Sequence, residues 1–325
     1  MSTWLEACPC LSAETDQNLV SIMTTRSVLR GSFWTIVGVL IIAHLGAGWY
    51  FTGELIEDGF LPDPDPIEAT ASGVGVSEVS FAAPLGELDA WHIPAQGSTW
   101  VIHVHGKGGT PDDARHLFEP IRQAGYPQLS ITYRNDDGQP MDPSGYYQYG
   151  ASEWEDVAAA VDFARLNGAD DVVLSGFSTG ASHILAFVYR NNSAVVRGLM
   201  FDSPNIDFAE TVDFNAAQRE MPIVPMKIPP TLTPVAKFFT SLRIGVNWKS
   251  IDYVDKAERS LRVPVLVHHG TDDLTVPLEQ SIEFAEAQPD LVELIQVEDA
   301  GHVESYDVEP DAYLRNILEF LAEVG

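Results

Sequence analysis

Gly176-Phe177-Ser178-Thr179-Gly180 sits between an apolar run, Asp171–Ser175, and a stretch with helical character, Thr179–Arg190. A G-x-S-x-G in that position makes a strained turn that pushes a serine hydroxyl into the open. The glycines leave room where strand and helix backbones approach each other. A serine is a poor nucleophile alone. A histidine must take its proton, and a carboxylate must orient that histidine and stabilise the imidazolium. Both residue types follow in order: His269-Gly270-Thr271-Asp272-Asp273-Leu274-Thr275-Val276-Pro277 after the next-to-last apolar run, and Gly301-His302-Val303-Glu304 after the last. Of the nine histidines, His302 is the one in a loop after the final strand with glycine before it. His183, along the helix after the serine, reads as packing. Asp273 is the favoured acid, three residues from both Gly270 and Val276. Its neighbour Asp272 and Asp202, at the end of the strand after the serine helix, stay open as alternatives.

His105-Gly106-Lys107-Gly108-Gly109 follows another apolar run upstream of the serine. Such a turn aims backbone N–H groups at a developing oxyanion, and the expected donors are the amides of Lys107 and Thr179. A phosphate loop would need Ser or Thr after the Gly-Lys pair, where this chain has glycine. His103 and His105 alternate on a strand with no H-E-x-x-H or His-rich set downstream, so they read as structural rather than as metal ligands. Cys8 and Cys10 are the two cysteines, both in the N-terminal tail, which rules out thiolate chemistry and disulfides in the body.

Several elements must position these residues. Strands are expected at Trp100–His105, Leu129–Tyr133, Asp171–Ser175, Val196–Phe201, Val263–His269 and Leu291–Val297. Helices are expected at Asp112–Ala124, Ser152–Asn167, Thr179–Arg190, Leu278–Ala287 and Pro310–Glu323. Near-continuous apolar strands alternating with helices imply a mostly parallel sheet covered on both faces, an α/β fold. Residues 205–260 break the rhythm with five prolines and with Phe208, Phe214, Phe238 and Phe239. They read as an inserted cap over the carboxyl edge of the sheet.

Charge narrows the possible partners. The net charge is −29, and only two basic and six acidic residues precede residue 61, so the acidity belongs to the body. That surface argues against nucleic acid, which needs a basic footprint, and against recruitment to anionic lipid by charge. At 20% charged and 45% hydrophobic residues, the chain is that of a folded domain rather than a disordered polyelectrolyte.

Phe33 to Phe51 runs without a formal charge. As a helix it would span about 28 Å, close to the hydrocarbon core of a bilayer. Arg26 and Arg30 precede it, Glu54, Glu57 and Asp58 follow, and Trp34, Trp49 and Tyr50 mark its edges. The chain therefore divides into an N-terminal tail (1–32, with Met23 a second candidate initiator), a transmembrane anchor (33–51), a Pro- and acid-rich linker (52–75) and a body (76–325). The basic flank places the N-terminus in the cytoplasm and the body on the extracytoplasmic side. A cleaved signal peptide is the alternative, since Ala43, Gly46, Ala47 and Gly48 supply small residues near the end of the run.

HGKGG at 105–109, TYR at 132–134, EWEDV at 153–157, GFSTG at 176–180, DSP at 202–204, HGTDDLTVP at 269–277 and GHVE at 301–304 together resemble the α/β-hydrolase superfamily. Within it the chain is similar to the serine-aminopeptidase-like and monoacylglycerol-lipase-like branch, with an N-terminal membrane anchor. Ala181 departs from the further glycine of many relatives. The resemblance implies an α/β-hydrolase fold and a serine mechanism with neither metal nor organic cofactor. The expected function is a membrane-anchored carboxylic ester hydrolase for acyl-chain-bearing substrates such as monoacylglycerols or lysophospholipids. Ser178 would be the nucleophile, with Asp273 and His302. The alternatives are a serine aminopeptidase, with Glu210 or Glu220 holding a substrate amine, and a non-catalytic tethered binding module. The fold does not name a substrate.

Overall fold

The computed structural model describes residues 13–57 and 75–325, except 192, 223–224 and 255–260, with side chains described from residue 30. Cys8, Cys10 and most of the expected linker lie outside the described residues.

Helix α1 (Ala13–Glu57) is 45 residues long. It differs from the expected 33–51 span at both ends. No glycine or proline falls between residues 13 and 30 to stop a helix, so the stretch read as a tail is helical from Ala13. At the other end, residues 52–57 were expected to open the linker but complete the helix, because Thr52 and Ile56 are buried against the body. Its stretch Arg30–Ile56 is long and apolar enough to cross a membrane, with a mean hydropathy of 1.6. Phe33, Trp34, Ile36, Leu40 and Ile42 on it are all exposed.

The body is built on eight strands: β1 (Ser77–Ala83), β2 (Gly86–Ile93), β3 (Thr99–Val104), β4 (Gln128–Ile131), β5 (Asp171–Phe177), β6 (Val196–Asp202), β7 (Val265–Gly270) and β8 (Val292–Val297). Their spatial order is β1-β2-β4-β3-β5-β6-β7-β8. The β1–β2 and β2–β4 pairs are antiparallel and all others parallel. Every residue of β7, and every residue of β5 after Asp171, is buried, which is why those strands read as continuous apolar runs. The β1–β2 hairpin was absent from the expected strands. Its first strand carries the weak signature of a half-exposed edge, Ser-Glu-Val-Ser-Phe-Ala-Ala with two exposed, one half-buried, one exposed and one buried residue leading it.

Helices α2 (Arg115–Gln123), α3 (Trp154–Leu166), α4 (Thr179–Arg190), α7 (Leu278–Ala287), α8 (Ser305–Val308) and α9 (Pro310–Val324) connect or follow the strands. One buried cluster joins α3 and α4 to one face of the sheet; another joins α2 and α9 to the opposite face. The excursion expected at 205–260 lies between β6 and β7 and holds α5 (Phe208–Gln218) and α6 (Leu232–Ile244). Asp207 caps α5 by accepting from the amides of Ala209 and Glu210. Gly245, at φ 77°, ends α6 in the left-handed conformation that glycine adopts without strain.

After β3 the chain crosses to β4 on one side and then returns to β5 on the other. Such a reversal opens a crevice beyond the carboxyl ends of the two strands. The segment 105–109 and Ser178 follow directly from those two ends.

Candidate active site

The turn from β5 into α4 places Ser178 at φ 50° and ψ −118°, outside the regions where side-chain-bearing residues sit comfortably. The turn is held by its surroundings. The Ser178 amide donates to the Asp202 carbonyl at 3.0 Å, and the Ser178 carbonyl accepts from the amide of Asn205 at 3.0 Å. A Cβ on Gly176 would lie 2.8 Å from the Ala181 nitrogen; one on Gly180 would lie 2.6 Å from the His105 carbonyl oxygen and closer still to that of Val104. The motif glycines are therefore required by contact with α4 and β3. Gly180→Ala is expected to destabilise the protein by about 3 kcal/mol or more, because both obstacles are backbone. A urea midpoint equal to wild type would show instead that β3 can retreat.

His302 lies in the loop between β8 and α8. The amide of Val303 donates to Ser203 Oγ at 3.0 Å, and that of Gly301 donates to Glu304 Oε2 at 3.0 Å, which fixes the loop on both sides of the histidine. His302 Nε2 is 2.9 Å from Ser178 Oγ and its Nδ1 is 2.7 Å from Asp273 Oδ2. A carboxylate only accepts, so Nδ1 carries the hydrogen and Nε2 is left to accept from the serine hydroxyl. The Asp273 side chain is 0% exposed and that of His302 23%.

Burial alone would raise the Asp273 pKa. Hydrogen bonds from His269 and His302, the His302 charge and the Val276 amide outweigh it and hold the carboxyl well below the usual range. Asp273 Oδ1 accepts from the amides of Thr275 and Val276 at 2.8 and 2.9 Å, so the turn that follows β7 builds its own anion site. His269 lies 3.3 Å from Asp273 Oδ2 and its Nδ1 is 2.7 Å from Ser281 Oγ. This second histidine beside the acid was not singled out from the sequence, where it is one more buried strand residue.

The alternative acids are placed elsewhere. Asp202 accepts from Ser305 Oγ at 2.8 Å, and burial pushes its pKa up to about 7. Asp272 is exposed. Neither is bonded to His302 as Asp273 is.

Lys107 and Thr179 both line the cavity that holds Ser178 and His302. Thr179 is the first residue of α4, and the first amides of a helix have no partner within it. The 105–109 segment rests on a buried network. His105 Nε2 is 3.0 Å from Asp136 Oδ2 and its Nδ1 is 2.8 Å from the Gly106 carbonyl. Burial lowers the His105 pKa, but Asp136 more than reverses this and brings it to about 9. Tyr133 donates to the Gly106 carbonyl at 2.9 Å, and Tyr147 lies 2.8 Å from His183 Nε2. His103 is buried against Gln128 at 3.0 Å. These three histidines hold the scaffold, and among the described residues no three His, Cys, Asp or Glu side chains are grouped as metal ligands would be.

The cavity measures about 480 Å³. Its wall is largely apolar, with Phe208, Val212 and Ala216 from α5, Leu232 and Ala236 from α6, and Val276 from the turn after β7. Phe51, Glu54 and Leu55 of α1 complete it. Sequence reading missed this contribution, since nothing along the chain says that an apolar helix will fold back on the cap.

The prolyl oligopeptidase family model matches residues 115–325, more than half of the chain. This chain belongs to the prolyl oligopeptidase family. It is accordingly a serine hydrolase of the α/β-hydrolase superfamily. Among curated proteins, the uncharacterized protein YfhR of Escherichia coli is 21% identical over 269 residues, covering 79% of this chain and 82% of YfhR. The Pyrococcus furiosus esterase Pf2001 has a similar structure, with a TM-score of 0.63 at 22% identity, over 82% of this chain and 99% of the esterase. The Pyrococcus horikoshii acylaminoacyl peptidase aligns with a TM-score of 0.58 at 15% identity, over 77% of this chain and 41% of the peptidase. At these identities the likeness to solved structures is one of fold.

Proposed function

We propose that this member of the prolyl oligopeptidase family is a membrane-anchored carboxylic ester hydrolase for substrates that carry an acyl chain. The observation that carries the reading is the hydrogen-bonded chain Ser178–His302–Asp273 opening into an apolar cavity. Ser178 Oγ attacks the acyl carbon while His302 Nε2 takes its proton, and Asp273 stabilises the imidazolium. The amides of Lys107 and Thr179 hold the oxyanion. His302 returns its proton to the departing alcohol and then activates a water that releases the acid.

The apolar stretch of α1 would supply the anchor, and Arg26 and Arg30 on the N-terminal side of that stretch support a body on the extracytoplasmic side. An aminopeptidase is the second reading, favoured by the family's name and by a carboxylate, Glu54, in the cavity wall. Glu210 and Glu220 are not among the wall residues.

The test is turnover by the full chain of nitrophenyl esters from acetyl to decanoyl beside aminoacyl nitroanilides. An optimum at medium or long acyl chains, with nitroanilides turned over at least about 100-fold less efficiently, is the expected result. Nitroanilides preferred over every ester would replace the esterase reading with the peptidase one.

A further inference from the structure

The end of α1 does more than leave the apolar stretch. Four contacts clamp it to the body. A Cβ on Gly48 would lie 2.9 Å from Val235 Cβ and closer still to its Cγ1, so α1 and α6 cross at a point where only a glycine fits. One turn later Thr52 is buried, and its hydroxyl lies 3.0 Å from the Ala236 carbonyl. Trp49 meets Phe239 edge to face at 5.4 Å, with the Arg243 guanidinium over its ring. Tyr149 donates to the Leu55 carbonyl at 2.6 Å. That carbonyl belongs to the last turn of the helix, where carbonyls have no intrahelical partner.

Tyr149 in turn stacks on Phe208 at 3.9 Å between ring centroids, and Phe208 lines the cavity. The clamp therefore holds Phe51, Glu54 and Leu55 in the wall of the chamber that contains Ser178 and His302. Residues of α5 and the start of α6 line the same cavity, so the end of the helix and the cap share its wall.

We infer that Phe51 and Leu55 are specificity-determining residues of the acyl site, and that the C-terminal end of α1 is a wall of the enzyme's substrate pocket. The inference rests on the proposed reading that an acyl chain occupies this cavity. It makes the anchor and the specificity pocket one structure. Cleavage in the small-residue run Ala43–Gly48 would sever α1 at or before its Gly48 crossing with α6 and leave Phe51 and Leu55 on a short stub held by Trp49, Thr52 and the Leu55 carbonyl.

The test uses the full chain in phosphatidylcholine nanodiscs. Phe51→Ala/Leu55→Ala should lower the ratio of kcat/KM for decanoyl over acetyl nitrophenyl ester by about tenfold or more, through lost apolar contact. Leu55→Trp fills the same space and should move the optimum to shorter chains. Thermal unfolding and fluorophosphonate labelling check that each variant is folded. Chain-length profiles of both folded variants superposing on wild type would overturn the inference. A second arm does not need catalysis: in the Ser178→Ala protein, affinity for pyrenedecanoic acid above the empty-nanodisc background should fall about tenfold on adding Phe51→Ala/Leu55→Ala. Unchanged affinity there would overturn the wall whatever reaction the enzyme performs. A wild type inert to every ester, with affinity that still depends on Phe51 and Leu55, would sink the esterase reading and leave the wall standing.

Discussion

Asp273→Asn should reduce kcat on an ester substrate by about 10⁴-fold, and Ser178→Ala by at least as much, while Asp202→Asn leaves kcat within a few-fold of wild type. The contrast follows from what each acid touches. Asp273 Oδ2 holds His302 Nδ1 at 2.7 Å, and an amide there could present a donor in place of the acceptor, turning the imidazole to the wrong tautomer. Asp202 faces Ser305, and its replacement disturbs no proton on the path from Ser178. Asp202→Asn has a separate effect on stability. Burial raises the Asp202 pKa from the ordinary aspartate value to about 7, so in wild type its ionisation opposes folding increasingly as pH climbs between about 4 and 7. The variant is uncharged throughout. It should gain stability relative to wild type at pH 8, by up to about 4 kcal/mol, and show little gain at pH 4. Steady-state kinetics and unfolding at the two pH values check both parts. An Asp202→Asn enzyme as inactive as Asp273→Asn would move the acid to β6.

Arg134→Met is expected to cost about 3–5 kcal/mol of stability, the scale for removing one partner of a buried ion pair. Arg134 leaves β4 and reaches α3. Its Nε and Nη2 donate to the two oxygens of Asp156 at 2.8 and 2.9 Å, and Nη2 also donates to Glu155 at 2.9 Å. The side chains of Arg134 and Asp156 are only 3% and 1% exposed. Without the guanidinium, the Asp156 carboxylate keeps the Arg134 backbone amide at 2.9 Å and little else to balance its charge. Replacing both, as Arg134→Met/Asp156→Leu, should recover much of the loss, because the penalty belongs to the unpaired charge. Urea unfolding of the three proteins measures it. A single variant within 1 kcal/mol of wild type would show that water reaches Asp156.

That pair also shows how a motif can be visible without its reason. TYR at 132–134 and EWEDV at 153–157 stand out as resemblances, yet nothing in either stretch says that Arg134 and Asp156 bond to each other. Ion pairs across 22 residues have no periodicity to betray them. Backbone punctuation does, which is why the turn at Ser178 and the loops at 105–109, 269–277 and 301–304 could be read from residue types and order.

The sequence by itself determined the alternation of strand and helix, the fold class, the place of the cap insertion and a short set of candidates at the carboxyl edge of the sheet. These are local properties: apolar runs, turn glycines, proline clusters and chain order. Tertiary structure decided what depends on distance between remote segments. It brought Asp273, and neither Asp202 nor Asp272, to Nδ1 of His302. It set His269 beside that acid and added the β1–β2 hairpin, whose half-exposed edge leaves a faint pattern. It carried α1 past its expected end and turned Phe51 and Leu55 into pocket wall, since Thr52, Ile56 and the Leu55 carbonyl find their partners in α6, the body's core and Tyr149 rather than in neighbouring residues.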